Sequence, residues 1–535
     1  MPLYRKRKVI HKREAHYRHA LHYESVARIA GRLYLQGKGN FRQGMTLFDL
    51  NWHNIQIGQQ WAIEHANIDD AACNLCWRYP DASAQCLELR QPPTLRLQWF
   101  KAGLTAARRL HHHVGEATLL GNLGLTLYDQ GQPQQAIPYL EQALSHYHLL
   151  NNHLGEGTTL SNLGGVYYTL GDTQLAIYYL ELALPIHQEQ QDRRGEGVTL
   201  GKLGLAVANL GDYRRAIAYH EQQLVIAREL NDPWREGQAL QNIGVAHARL
   251  GNFQTAIACY EEAQNIAHNI LDQRNQAKAL MNLGNAYQSL GDVRHGIELY
   301  IQALPLAQAI GDYQTEGWLL TNLGVGYHHI GQTQQAIAYY EQSLTISREI
   351  GEQHAVCTLL GNLGSAYYAL HDLSKAKTFY HQQLELARQL SNRQSEADAL
   401  GNLGNVYDDE GRSEYAVESY EQALTLQRAL GNRQGESANL GNLGSIRLKL
   451  GDGQKARALY EQQLALARDL GDQRSEGFAL WNLSLTLKRF GQDTQALEQA
   501  QSAFKILKQI EDPLAAIVDQ QIKIWLGVLS DAKIL

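Results

Sequence analysis

Asparagine recurs at intervals of forty residues along most of the chain, and this series could do chemistry. An amide side chain both donates and accepts hydrogen bonds, as a peptide backbone does. A regular series of amides is therefore suited to holding the main chain of a peptide without demanding a particular sequence. The one lysine in the series we expect to hold an acidic side chain or a carboxylate. The series is Asn122, Asn162, Lys202, Asn242, Asn282, Asn322, Asn362, Asn402, Asn442 and Asn482.

Glycines beside these asparagines raise the possibility of a nucleotide site, because glycine-rich turns often bind phosphates. The segment GNLG occurs at 121–124, 361–364, 401–404 and 441–444. A phosphate loop needs GxxxxGK[ST] after a strand, and neither GKLG at 201–204 nor GKGN at 37–40 has that spacing. A glycine that returns every forty residues predicts a repeat array instead.

Other groups that could carry chemistry favour neither catalysis nor a metal centre. Cys73 and Cys76 form a CxxC within a predicted helix, but no second pair follows at zinc spacing. We therefore expect buried thiols there, and a weak metal site at His111–His113 is the minor alternative. No strand–turn–helix nucleophile signature is present. We expect no enzyme activity, no cofactor and no metal.

Composition and charge argue against nucleic acid, membrane and secretion. The chain has 535 residues and a net charge of −6, although residues 1–20 carry seven positive side chains and one negative. The remainder is therefore clearly acidic, which disfavours binding along a nucleic-acid backbone. No apolar run reaches membrane-spanning length, and none follows the basic N-terminus as in a signal peptide. With five cysteines, the cytosol is the expected compartment.

Two helices are predicted in each forty-residue repeat, as residues 192–230 illustrate. Asp192 and Asp212 are N-cap residues in this interpretation, and Gly211 ends the first helix in a left-handed conformation. Asn231 ends the second. A glycine inside the first helix, Gly204, allows a close approach of the second helix, and we expect the small residue twelve positions later to be its partner.

The repeats resemble the tetratricopeptide repeat (TPR) over residues 113–510. Their length of forty residues, rather than 34, is similar to that in kinesin light chain and Pins-type scaffolds. The resemblance implies an all-α fold, a right-handed superhelix (α-solenoid) of about ten or eleven helix–turn–helix repeats whose first helices line a concave groove. The residues that carry it in one repeat are Leu160, Leu163, Gly164, Tyr167, Ala176, Leu180 and Ala183.

The TPR resemblance also implies that the asparagine series faces the concave groove and binds an extended protein or peptide partner. The alternative is that these asparagines belong to the repeat consensus and satisfy neighbouring helices, and both roles can coexist. The lysines of the clamp that binds Hsp70 and Hsp90 tails are absent. Variable groove positions would provide specificity, first aromatic, then acidic, then basic: Trp318, His328, His329 and Tyr368; Asp398, Asp408 and Asp409; Lys449, Lys488 and Arg489.

The ends of the chain depart from the repeat pattern. We expect a helical non-repeat region at 1–68, with helices at 11–34 and 45–66, a degenerate capping repeat at 69–112 and a C-terminal capping helix at 511–535. In that last helix Ile517, Ile522, Trp525 and Leu526 would share the packed side. The pattern of Asp49, Asn54, Ile55 and Trp61 resembles the segment after the winged helix in STAND-type signalling NTPases. No Walker motif accompanies it.

Two functions remain from the sequence. The first is a non-catalytic scaffold that binds a protein segment in its concave groove. The second is a ligand- or partner-sensing module of a STAND-like system that lacks its own NTPase and acts through the non-repeat N-terminal region. The sequence specifies neither the partner nor the oligomeric state.

Overall fold

The computed structural model describes residues 2–35 and 38–528, except for the side chains of residues 2–11, 35, 38, 39 and 41. The basic side chains from Arg5 to Lys8, whose role the sequence leaves open, thus lie outside the described part. Among the described residues every regular element is an α-helix and no strand occurs. None of these helices combines the length and the hydropathy needed to cross a bilayer. The predicted all-α class is confirmed.

The chain divides into two compact units, Met1–Ala286 (unit 1) and Tyr287–Leu535 (unit 2). The helices that precede the boundary are α1 Pro2–Leu35, α2 Lys38–His65, α3 Asp70–Arg90, α4 Pro93–Arg109, α5 His113–Asp129, α6 Pro133–Leu149, α7 His153–Thr169, α8 Thr173–Glu189, α9 Arg193–Asn209, α10 Tyr213–Glu229, α11 Pro233–Arg249 and α12 Phe253–Asn269. The boundary falls within α13 Gln273–Ser289.

Unit 2 contains the second helix of that repeat, five further helix pairs and a final single helix. Its helices are α14 Val293–Ala309, α15 Tyr313–His329, α16 Thr333–Glu349, α17 Gln353–Ala369, α18 Leu373–Gln389, α19 Arg393–Asp409, α20 Ser413–Leu430, α21 Arg433–Lys449, α22 Gly453–Leu470, α23 Gln473–Arg489, α24 Asp493–Gln509 and α25 Leu514–Trp525. From α5 to α24 the odd-numbered helix is the first helix of each repeat and the even-numbered helix the second.

Helix ends follow the predicted turn chemistry. The Asp192 side chain accepts a hydrogen bond from the Gly195 N–H at 3.0 Å, and Asp212 caps the next helix in the same way. Gly211 has φ +84° and Asn231 has φ +51°, both in the left-handed region. A residue in this conformation reverses the chain direction within three residues, so each helix pair closes locally.

First helices of consecutive repeats contact one another directly within each unit. In unit 2, α17 packs against α15 and α19, and α21 against α19 and α23. In unit 2, the second helices α16, α18, α20 and α22 each pack between two first helices, as α18 does between α17 and α19. The chain is therefore an α-solenoid of helix–turn–helix repeats. We call the layer formed by α15, α17, α19, α21 and α23 the first-helix face of unit 2.

The buried glycine of each first helix makes room for a side chain of the second helix. A Cβ on Gly244 would lie 2.5 Å from the Tyr260 ring, and one on Gly364 would lie 2.5 Å from the Tyr380 ring. The expected partner, the small residue twelve positions later, is confirmed only in part. Its backbone carbonyl is close, at 3.2 Å from a Cβ on Gly124, but the nearest side chain comes from sixteen positions later. At the one position where serine replaces glycine, Ser484, the residue sixteen later is Ala500, and both are buried.

At the two ends of the array, the helix limits and the buried side chains differ in part from the prediction. Helix α2 begins at Lys38 rather than at 45, while Gly37 lies outside the described residues. In α25 the buried side chains are Val518 and Ile522, whereas Ile517 is 59% and Leu526 53% exposed. Trp525 packs against Trp481 of α23, with ring centroids 6.1 Å apart, so Ile522 and Trp525 of the predicted set lie on the packed side. The limits 1–68, 69–112, 113–510 and 511–535 remain our proposal for the domain organisation.

Candidate functional site

A polar cavity of about 460 Å³ opens on the first-helix face of unit 2. Asn362 from α17, Asn402 from α19 and Asn442 from α21 all line it. Equivalent residues of consecutive repeats share this cavity because the three first helices lie side by side. The structure thus brings three members of the predicted asparagine series into one site.

Residues one helical turn before and after these asparagines complete the first-helix part of the cavity. Asp398 lies four positions before Asn402, and Asn405 lies three positions after it. Residues at these spacings share one face of a helix. Ser365 is the α17 equivalent of Asn405 and also lines the cavity.

Some side-chain amides of the cavity form hydrogen bonds with other residues of the chain, and others form none with the described residues. Asn405 Oδ1 accepts from the Tyr420 hydroxyl at 2.6 Å and from Asn442 Nδ2 at 3.2 Å. The side chains of Asn362 and Asn402 form no hydrogen bond with any residue that the structure describes. Two of the three series members are therefore available to a ligand.

Two glutamines from the second helices form the inner wall of the cavity. Gln383 of α18 and Gln427 of α20 are 5% and 2% exposed. Each occupies space that a glycine leaves open, since a Cβ on Gly361 or on Gly435 would lie 2.6 Å from the glutamine side chain. The Oε1 atoms of both glutamines are buried without a hydrogen-bond partner among the described residues.

Sequence reasoning missed these glutamines, although a signal for them exists. Glycine directly before the series member is paired with glutamine 22 residues later at Gly201 and Gln223, Gly361 and Gln383, and Gly441 and Gln463. The position three residues after the series member gives a second signal. It is polar in three consecutive repeats, at Ser365, Asn405 and Ser445, whereas elsewhere it is polar only at Asn285.

Asp398 is the charged residue of the cavity. Its Oδ1 accepts from Gln394 Nε2 at 2.8 Å and from Gln427 Nε2 at 3.3 Å. Burial raises the pKa of the Asp398 carboxyl above its usual range, because the surroundings disfavour its charged form. The two hydrogen bonds oppose that shift only in part.

The other predicted specificity residues lie outside this cavity, and several of them contact one another between repeats. Lys449 Nζ pairs with the Asp408 carboxylate at 2.7 Å, and the Tyr368 hydroxyl donates to Asp409 at 2.6 Å. Arg489 donates to the Leu448 carbonyl at 2.9 Å. Of these contacts, only the Lys449–Asp408 pair offsets opposite charges, while Asp409 and Arg489 form hydrogen bonds to neutral groups.

The aromatic and histidine members of the predicted set differ from one another in their exposure to solvent. Trp318 on α15 is 43% exposed. His328 Nδ1 is buried without a partner in the described part of the chain. Burial also lowers the pKa of the His328 imidazole, which therefore favours its neutral form.

The remaining series members are half-buried along the first helices: Asn122, Asn162, Lys202, Asn242, Asn282, Asn322 and Asn482. Lys202, the one lysine of the series, also differs from the asparagines in its contacts. Its Nζ donates to the Ser161 carbonyl at 2.9 Å and lies 3.4 Å from Asn162 Oδ1. Burial lowers the pKa of the Lys202 ammonium to about 8, with a smaller contribution from Arg235.

Stability is expected to depend on Lys202 in alkaline solution. Between pH 8 and about 10.4, the usual lysine value, the unfolded chain holds a proton that the folded chain has released. The free energy of unfolding therefore rises with pH in this window. We expect the thermal midpoint of the wild type, relative to that of Lys202→Asn, to increase from pH 8 to pH 10. A difference that stays constant across this range would contradict the assignment.

Of the predicted group His111–His113, only His113 belongs to a cluster of possible metal ligands among the described residues. Ligand atoms of His113, Glu116 and His146 lie within 4.8 Å of one another, but Glu116 already accepts from Arg108 Nε at 2.7 Å. The thiols of Cys73 and Cys76 are buried and unpaired, as expected. Burial raises the pKa of the Cys76 thiol to about 12, which disfavours the thiolate that metals bind.

Comparison with known proteins agrees with this architecture. The family model described as "Tetratricopeptide repeat" matches residues 84–147, 115–189, 196–268, 275–349, 355–429 and 436–509. No curated protein sequence matches the chain. Among solved structures, a STAND protein with a tetratricopeptide repeat sensor, PH0952 from Pyrococcus horikoshii, is 18% identical with a TM-score of 0.53. The match covers 69% of this chain and 55% of that protein, and it shows a shared fold.

Two further solved structures have lower TM-scores. BtubC (BKLC) from P. vanneervenii is 26% identical over 41% of this chain and 92% of its own, with a TM-score of 0.37. The apo form of the quorum sensor NprR from B. thuringiensis is 18% identical over 64% of this chain and 99% of its own, with a TM-score of 0.48. The family model covers most of the sequence, and its repeats coincide with the helix pairs described above. The chain therefore belongs to the tetratricopeptide repeat family.

Proposed function

We propose that this protein is a non-catalytic scaffold that binds an extended segment of a partner protein on the first-helix face of unit 2. Asn362, Asn402 and Asn442 would hydrogen-bond the main chain of that segment. The observation that supports this proposal is the shared polar cavity, in which the Asn362 and Asn402 amides have no partner among the described residues. The five free thiols are in keeping with a cytosolic location.

The spacing of the three asparagines suits an extended peptide. Packed helices lie roughly 8–10 Å apart, whereas an extended chain rises about 3.3 Å per residue. Amides from consecutive repeats would therefore meet the peptide at about every third residue. Because each contact goes to the main chain, partners with different sequences could share this mode of binding.

Selection from a library of displayed random 12-residue peptides tests the proposal. Each hydrogen bond contributes about 0.5–1.5 kcal/mol, so the pair Asn362→Ala and Asn402→Ala should weaken selected peptides about tenfold. The matched control is the pair Asn122→Ala and Asn242→Ala, which changes the same repeat position outside the cavity. Circular dichroism of both variants should show wild-type helicity.

Two results would argue against the scaffold proposal. Peptides whose affinity is unchanged in the cavity variant do not use the asparagines. Equal weakening in both variants would mean that the effect does not come from this cavity.

A ligand-sensing module remains the second candidate because the N-terminal region has a cavity of its own. This cavity of about 800 Å³ lies among α1, α2 and α4, where it is lined by His16, His19, His53, Trp61 and Trp99. Its aromatic and imidazole groups suit a small ligand with both apolar and polar parts. The display selection bears on this candidate too, since a sensor that works through the N-terminal cavity loses nothing when Asn362 and Asn402 are replaced.

A further inference from the structure

The charge of the polar cavity on the first-helix face is not balanced. Asp398 is the one charged side chain among the described residues that line it, and these include no lysine, arginine or histidine. The remaining lining consists of amides, hydroxyls, glycine and alanine. Both hydrogen bonds to Asp398 reach its Oδ1, so Oδ2 accepts none from the described residues. Asp398 itself is exposed, and a carboxylate without a counter-ion attracts a cation nearby.

Hydrogen-bond acceptors without donors lie in the same cavity. Gln427 Nε2 donates to Asp398, and this contact fixes which end of the Gln427 amide is the oxygen. Gln427 Oε1 is then left buried without a donor, as is Gln383 Oε1. A buried acceptor without a donor is destabilising. A ligand that supplies N–H groups removes that destabilising effect.

We propose that this cavity recognises a lysine or arginine side chain of the bound segment, with Asp398 as its counter-ion and the Gln383 and Gln427 oxygens as further acceptors. The inference rests on the proposed scaffold function and adds the chemistry of one side chain to it. An arginine guanidinium offers five N–H donors and no acceptor, which matches a cavity that presents a carboxylate and two free amide oxygens.

The surroundings of the Asp398 carboxyl agree with this assignment, although the residue as a whole is exposed. The raised pKa of its carboxyl means that the free protein holds the charge at a cost. A bound cation would repay that cost, and an uncharged side chain would not. Acidic side chains are disfavoured because they would meet a like charge without a compensating base among the described lining residues.

Synthetic peptides that differ at one position test the inference on the full-length chain. The probes are fluorescent 11-residue peptides of alanine and serine, with acetylated and amidated ends that remove terminal charges. The central residue is arginine, lysine, citrulline, norleucine or glutamate. Citrulline has nearly the shape of arginine but no charge. We expect the arginine peptide to bind about 10- to 100-fold more tightly than the citrulline peptide, as hydrogen bonds to charged groups imply.

Asp398→Asn should abolish this preference for arginine over citrulline. The variant keeps an oxygen for Gln394 and Gln427 and removes a charge that the surroundings of the carboxyl disfavour, so its thermal midpoint should not fall. Asp409→Asn is the matched control, because Asp409 lies on the same helix and contacts Tyr368 outside the cavity. The control variant should retain the full preference.

The outcomes separate this inference from the scaffold proposal. Equal affinity for arginine and citrulline peptides, or a preference that survives in Asp398→Asn, overturns the cation site. If the same peptides still weaken in the Asn362→Ala and Asn402→Ala variant, the scaffold proposal stands without it. Peptides that fail to bind, or that bind equally to every variant, overturn both.

Discussion

Tyr380→Ala is expected to lower the free energy of unfolding by about 3–5 kcal/mol, the usual cost of truncating a large buried aromatic side chain. Tyr380 is 2% exposed and occupies the space beside Gly364. The reverse change, Gly364→Ser, should cost about 1–3 kcal/mol because the added Cβ would lie 2.5 Å from the Tyr380 ring. Either change disrupts the steric fit between the first and second helices of one repeat.

Combining the two substitutions should restore part of the loss. The double variant reproduces the combination found at Ser484 and Ala500, where a larger residue on the first helix is matched by a smaller one on the second. We expect a favourable coupling of about 1–2 kcal/mol between the two sites, in the range measured for contacting residues. Urea denaturation of the four full-length proteins, with hydrogen exchange of α17 and α18 amides, measures it.

Gly121→Ser is the control for this cycle. A Cβ on Gly121 would have no heavy atom within 4 Å, so the substitution should be neutral or slightly stabilising through helix propensity. Additive losses at Gly364 and Tyr380, or an equal loss at Gly121, would show that steric fit to Tyr380 does not explain the glycine.

Glu24→Ala is expected to destabilise the N-terminal helices by about 3 kcal/mol. Glu24 on α1 is fully buried and accepts from Arg28 at 2.6 Å and from Arg78 of α3 at 2.9 Å. Removing one partner from a buried ion pair costs several kcal/mol, since the other partner keeps its desolvation penalty. Both arginines are about 30% exposed, so water relieves part of that penalty and the lower end of the range applies.

Glu14→Ala provides the comparison on the same helix. Glu14 pairs with Arg18 at 3.0 Å in an exposed i, i+4 arrangement, which contributes only about 0.3–0.5 kcal/mol. Hydrogen exchange of α1 and α3 amides should therefore distinguish the two variants. Similar small losses at both glutamates would show that the contact between α1 and α3 does not depend on the Glu24 ion pair.

Much of the fold could be predicted because a repeat array repeats its tertiary contacts along with its sequence. Helix caps such as Asp192 and Asp212 and the left-handed residues Gly211 and Asn231 depend on local chemistry, and all four were placed correctly. The partner of the helical glycine was predicted only in part, since its identity depends on how far a side chain sixteen residues away reaches across the helix pair. The packed side of α25 was predicted correctly for Ile522 and Trp525 and wrongly for Ile517 and Leu526, since helical periodicity alone does not show where the neighbouring helices α23 and α24 lie.

The candidate site was predictable only in outline. Asn362, Asn402 and Asn442 belong to a periodic series that any alignment of the repeats reveals. The sequence signal for the inner-wall residues Gln383 and Gln427 is weaker. It is a glycine on the first helix of the same repeat or of the next one. That pairing is a steric relation between helices, and sequence periodicity alone does not express it.

By itself, the sequence determined the helix–turn–helix repeat, the ends of its helices and the position of an amide on every first helix but one. These properties depend on local backbone preferences and on a spacing that each copy repeats. Only the tertiary structure decided which asparagines share a cavity, that Asp408 is neutralised by Lys449 while Asp398 is not, and which amide oxygens remain without donors. The physical reason is that ion pairing and burial depend on distances of a few ångströms between side chains of different repeats.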